Sequence, residues 1–186
     1  MNINRIVRNL LRSTIYSMFV YNDTKLARDI IGRIYRTSCF IDTGVYIKNK
    51  ANFSCGNECA LYHCVYILNT YGTTRMGNKS HLGAYTYVNT LRGHLTIGNN
   101  VCIGPGCKIF TFTNHFEKGT LIVDALKEKN TKIGSNVLVG SNSVILAGTV
   151  IEDNVVLAAG SVANGTLETN SIYGGTPAKK IRSDWY

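Results

Sequence analysis

Aliphatic residues recur every six positions along most of this chain. Ile133, Val139, Ile145, Ile151, Leu157 and Ala163 keep that step without a break; Ile97, Ile103 and Ile109 repeat it, as do Met76, Leu82 and Val88, and a weaker run comprises Ile41, Ile47, Phe53, Cys59 and Val65. A second ladder stands four residues after the first and is small or β-branched: Val101, Val137, Ser143, Thr149, Val155 and Ser161, with Cys107 in the same phase. A helix repeats near 3.6 residues and a strand near 2, so neither alone produces a period of six. Short strands joined by tight turns do. The pattern predicts an all-β, triangular coil in which each side takes one hexapeptide, the aliphatic points inward and the small residue fits the crowded corner. Gly98, Gly104, Gly134 and Gly140, each directly after an inward aliphatic, relieve the backbone where coils approach. Stacked coils bury a continuous core and satisfy one another's backbone groups, which a single coil cannot do.

Two stretches leave the register. In residues 1–36, Ile3, Ile6, Val7, Leu10, Leu11 and Met18 lie at helical spacing with Arg5, Arg8 and Arg12 opposite, which predicts an amphipathic helix, followed by a second from Thr24 to Tyr35. This N-terminal helical segment is expected to pack on the coil or on a neighbouring subunit, with peripheral membrane contact through residues 1–20 as the alternative. The other break falls between Ile109 and Ile133, which are 24 positions apart instead of six. It predicts an extruded loop over 110–132 on a coil spanning 37–173, with a C-terminal tail over 174–186. An insertion of that size on a regular scaffold is where chemistry is expected, and it contains Thr113-Asn114-His115-Phe116-Glu117.

Composition narrows the partners. Hydrophobic residues make up 45% and charged residues 17% of the 186 residues, the balance of a globular chain. The net charge of +9 favours an anionic partner. No run of Lys and Arg exceeds two residues and no nucleic-acid-binding motif is present, so nucleic acid is set aside in favour of a phosphorylated small molecule. Six cysteines without a recognisable secretory leader are read as reduced thiols of a cytoplasmic protein. Cys55, Cys59 and Cys64 lack the paired spacing of a zinc site, and His63, His81 and His94 share no ligand spacing, so no metal is expected.

The order of Tyr87-Val88-Asn89, Ile97-Gly-Asn-Asn-Val-Cys-Ile-Gly-Pro, the Asn114-His115 loop, Ile133-Gly-Ser-Asn-Val-Leu-Val-Gly-Ser, Ala159-Gly-Ser-Val and Gly175-Thr-Pro-Ala-Lys-Lys-Ile-Arg182 resembles the hexapeptide-repeat, left-handed parallel β-helix acyltransferases. Within them it is similar to the branch of maltose, galactoside, nodulation-factor and capsular-polysaccharide O-acetyltransferases, over roughly residues 76–182. The resemblance implies acetyl-CoA as co-substrate, a carbohydrate acceptor and a homotrimer with sites between subunits. It implies His115 as the catalytic residue, Tyr87, Asn89 and Asn114 at the acceptor, and Ser141 and Ala159 where pantetheine passes close to the coil. Lys179 and Arg182 would meet the donor's phosphates. Ala163 and Asn164 stand at donor-contact positions where the family has Thr-Lys, and Leu138 where it usually has tryptophan. An acidic residue orients the histidine in the family; Glu117, Asp124 and Glu128 are all open by spacing.

The chemistry agrees with a histidine in the loop. An alcohol is a poor nucleophile at neutral pH, and an imidazole, with an ordinary pKa near 6.5, takes its proton as attack on the thioester begins. The expected function is O-acetylation of a carbohydrate, such as a unit of a surface polysaccharide. Streptogramin-like antibiotic acetylation and a non-catalytic assembly module are the alternatives.

Overall fold

The computed structural model describes residues 39–115 and 117–186. The expected helical segment of residues 1–36, with its proposed membrane contact, lies outside the described residues. From Phe40 onward the chain winds through three parallel sheets forming the faces of a left-handed β-helix. The first face stacks Phe40–Ile41, Ala60–Leu61, His81–Leu82, Cys102–Ile103, Leu138–Val139, Val156–Leu157 and Ser171–Gly174. The second stacks Tyr46–Ile47, Tyr66–Leu68, Tyr87–Asn89, Lys108–Phe110, Val144–Ile145 and Val162–Ala163, and the third runs from Phe53–Cys55 to Thr166–Leu167.

On the first and second faces most rungs follow from the six-residue pattern. Leu61, Leu82, Ile103, Val139 and Leu157 stand one above another on the first face and are fully buried, as are Ile67, Val88, Ile109, Ile145 and Ala163 on the second. The small residues four positions later fill the corners: Ser143, Thr149, Val155 and Ser161 are also fully buried. Ser143 and Ser161 donate to the backbone or accept from it across coils, so their hydroxyls enter the interior with partners. Between the third and first faces, Asn136, Asn154 and Asn170 take left-handed backbone angles. Asparagine tolerates these, and here its amides also link the coils: Asn136 Nδ2 donates to Asn154 Oδ1 at 2.8 Å and Asn154 Nδ2 to Asn170 Oδ1 at 2.9 Å.

The weakest run of the sequence slips out of phase. A 3-10 turn at Lys50–Asn52 inserts two residues, so the inward positions after Ile47 are Cys55, Leu61 and Ile67. Phe53 is half-buried beside Thr74, while Cys59 and Val65 are buried at corner positions, four residues after Cys55 and Leu61. At the corner between the second and third faces the steps are also wider: nine residues separate Ile67 from Met76 and Val88 from Ile97. With the turn at Lys50–Asn52 at the same corner, the loop after Ile109 is therefore the fourth and longest of a stack of insertions. Gly93 lets two of them touch, since a Cβ there would lie 2.6 Å from the Thr111 carbonyl oxygen.

The C-terminal end is closed by the tail. Lys179–Ser183 turns back antiparallel on Ser171–Gly174, Tyr173 covers the last coil with its hydroxyl accepting from Glu168 N at 3.0 Å, and Trp185 Nε1 donates to Asn154 O at 2.8 Å. Lys180 pairs with Glu168, whose carboxylate holds the ammonium above the usual lysine range. Such a cap covers a core that would otherwise end in water.

Ile145→Ala removes a fully buried side chain midway along the stack. It is expected to lower stability by about 2–5 kcal/mol, read as a shift of the urea midpoint at unchanged slope. An unchanged midpoint would mean that coils do not share one cooperative core.

Candidate active site

The loop after Ile109 is a hairpin. Phe112–Asn114 pairs antiparallel with Leu126–Glu128, and a 3-10 turn at Ile122–Asp124 closes its far end. Its root is tied to the coil by Lys129 N to Thr111 O at 2.9 Å and by His94 N to Asn130 Oδ1 at 2.9 Å. His115 leaves the first hairpin strand with its N–H donating to Ala125 O at 2.6 Å, while Asn114 Nδ2 donates to Ile122 O at 2.6 Å. Asn114, expected at the acceptor, thus uses its amide to brace the loop that carries His115.

His115 Nε2 lies 3.4 Å from Glu117 Oε1, and both side chains are more than half exposed. Of the three acidic residues open by spacing, Glu117 is the one against the ring. Glu128 turns to Arg92 at 3.7 Å, and Asp124 belongs to the distal turn. An exposed pair of this kind adds little to stability.

The hairpin leaves the edge of the second face after Phe110, one coil above Tyr87 and Asn89. Asn89 pairs in register with Phe110, the last residue before the corner, and Asn89 Nδ2 donates to Tyr87 Oη at 2.9 Å. The Tyr87 and Phe110 rings lie 6.1 Å apart, and Phe112 meets Phe110 edge-on at 6.4 Å. These two phenylalanines were not singled out from the sequence. Their signal was their place on either side of Thr111 at the hairpin root.

Ser141 and Ala159 lie on a different corner, between the first and second faces. There Gly83, Gly104, Gly140, Ala158 and Gly174 form one row and Ala84, Pro105, Ser141, Ala159 and Gly175 the next. A Cβ on Gly104 would come 2.7 Å from Ser141 N, so the row is small because adjacent coils nearly touch. Ala163 is instead an inward residue with no exposed surface, and its side chain is closed to any ligand; Asn164 beside it is exposed. Lys179 and Arg182 stand opposite Gly174 and Ile172, and a bulge in the pairing brings these cations, three residues apart, onto the same outward side. Among the described residues neither forms an ion pair. Nor does any group of three His, Cys, Asp or Glu side chains among them come together to hold a metal, and no described helix is long and apolar enough to cross a membrane.

Comparison with known proteins places this geometry. Residues 130–165 match the model of the bacterial transferase hexapeptide (six repeats). Among curated proteins the chain is similar to the bifunctional protein GlmU of Streptococcus uberis, 36% identical over 108 residues (57% of this chain, 21% of that protein). It is also similar to GlmU of Wolbachia pipientis, 32% identical over 161 residues (78% and 35%). The chain spans only about a fifth to a third of the length of these relatives. Among solved structures it shares its fold with an AntD N-acyltransferase variant from Bacillus cereus, at TM-score 0.73 and 20% identity over 83% of this chain and 88% of that one. A maltose O-acetyltransferase from Clostridium difficile superposes at TM-score 0.60 and 19% identity, covering 98% and 89%. The chain thus carries the bacterial transferase hexapeptide repeat over residues 130–165 and shares the left-handed parallel β-helix fold of these structures.

Proposed function

We propose that this protein transfers an acetyl group from acetyl-CoA to a hydroxyl of a carbohydrate, with His115 as general base. The observation that carries the reading is the braced hairpin that holds His115 against Glu117 beside the Tyr87–Asn89 rung. Glu117 orients the ring through Nε2, and the imidazole takes the acceptor's proton as its oxygen attacks the thioester carbonyl. Asn89 and Tyr87 position the acceptor. The AntD structure holds coenzyme A and dTDP-4-amino-4,6-dideoxyglucose, and the Clostridium protein is a maltose O-acetyltransferase; both support a thioester donor and a sugar acceptor here.

The donor lies along the small-residue rows. Pantetheine passes Ser141 and Ala159, where larger side chains would exclude it, and the rows end at Lys179 and Arg182, two cations suited to CoA phosphates. The His115 hairpin leaves the opposite edge of the second face. A site that uses both therefore takes the hairpin from one copy and the small-residue corner from its neighbour, and the assembly is a homotrimer.

His115→Ala is expected to leave thermal melting unchanged and to lower turnover by about two to four orders of magnitude, measured by thiol release over a panel of saccharides, an amino sugar and a streptogramin. Transfer to the amino sugar or the antibiotic alone would overturn sugar O-acetylation. Lys179→Ala with Arg182→Ala should raise KM for acetyl-CoA and leave kcat nearly unchanged, because these contacts are made equally in ground and transition states. Unmoved constants would return both cations to the solvated tail. Light scattering should give three times the chain mass; an active monomer would sink the shared site.

A further inference from the structure

A second arrangement of reactive side chains sits away from the His115 hairpin. Cys64 Sγ lies 3.3 Å from His63 Nε2, and Nδ1 of the same ring lies 2.5 Å from Thr43 Oγ1, one coil below. A thiol donating to Nε2 leaves the ring proton on Nδ1, directed at the Thr43 hydroxyl oxygen. That is a nucleophile, a base and a group that orients the base, the combination that activates a cysteine. The backbone holds all three in place: Cys64 N donates to Thr43 O and Tyr85 N to His63 O, both at 2.9 Å, and the Tyr85 ring meets His63 edge-on at 5.5 Å.

The chain's other described thiols are in different surroundings. Burial pushes Cys59, Cys102 and Cys107 up from the ordinary thiol range, and a hydrogen bond with Cys55 raises Cys39. Cys64 alone among the described cysteines is hydrogen-bonded to a histidine, and it is partly open to solvent. Its position also has a direction. Thr43 and His63 begin the row that continues as Ala84, Pro105, Ser141 and Ala159, with Tyr85 N, Gly106 N, Asn142 N and Gly160 N each donating to the carbonyl of the row residue one coil below. The triad therefore stands at the foot of the corner along which the donor is placed.

We propose that Cys64 is an S-acylation site that takes an acyl group from a thioester donor bound on this corner; the proposal rests on the donor placement given above. The Cys64 thiol gives its proton to His63 Nε2 as its sulfur attacks the acetyl carbonyl carbon. The bond from that carbon to the CoA sulfur breaks, and His63 returns the proton to the departing CoA thiolate. One thioester is exchanged for another, so no oxidant, reductant or further reactant is needed.

The test incubates the full chain with acetyl-CoA and no acceptor and maps acetylated peptides by mass spectrometry. The expected result is a hydroxylamine-labile acetyl group on Cys64, absent in Cys64→Ser, formed about a hundredfold more slowly in His63→Gln and retained in His115→Ala. Sugar transfer that depends on His115, without label on Cys64, overturns this proposal and leaves the proposed function standing. A second arm does not depend on the donor: iodoacetamide should alkylate Cys64 about tenfold faster in the wild type than in His63→Gln. Equal rates overturn the activated thiol whatever acetyl-CoA does.

Discussion

The fold depends on the contact between one coil and the next. A side of two or three paired residues buries one aliphatic and makes two or three backbone hydrogen bonds, too little to offset its ordering entropy. Stacked about 4.8 Å apart, those sides become three continuous sheets around a column in which Leu61, Leu82, Ile103, Val139 and Leu157 are fully buried in one core. The close spacing then selects the residues around it. At Gly140 a Cβ would collide with the backbone at Ala159, so the same requirement that builds the core leaves a line of small residues on the outside of one corner.

Chemistry enters where the stacking tolerates an interruption. The strands on either side of the hairpin keep their partners below, Lys108 with Tyr87 and Thr131 with Leu95, so the coil is continuous beneath the insertion. Shorter insertions at the same corner, around Gly72 and Gly93, support its root. The corner can therefore vary in length without disturbing a rung. His115 owes its position to this tolerance and its orientation to short contacts within the hairpin.

What could be read from the residues follows the same division. The inward and corner positions were legible wherever the step stayed at six, because burial there is a property of the period. They were misread where a local turn changed the step: the two residues added at Lys50–Asn52 carried Phe53, Cys59 and Val65 out of phase. The place of the loop and its histidine was legible as a gap. The choice of Glu117 over Asp124 and Glu128 was not, because it depends on which side of a hairpin each carboxylate falls. Ala163, expected at the donor from the family resemblance, has a side chain that the period itself assigns to the core.

The pairing of Thr43 with His63 and Cys64 was hidden for a related reason. Thr43 is 20 residues from His63, about one coil, and in a solenoid that distance is nearest-neighbour contact. A residue's surroundings in this fold are set by what lies one coil above and below, so a motif search along the chain sees His63 and Cys64 and misses Thr43. The Lys179 and Arg182 pair makes the point at the other end, where a three-residue separation would put the two cations on opposite sides of a regular strand and a single bulge against Ile172 and Tyr173 brings them to one. Side-chain chemistry in such a protein has to be read across the coils, rung by rung, and the insertions and bulges decide which residues share a rung.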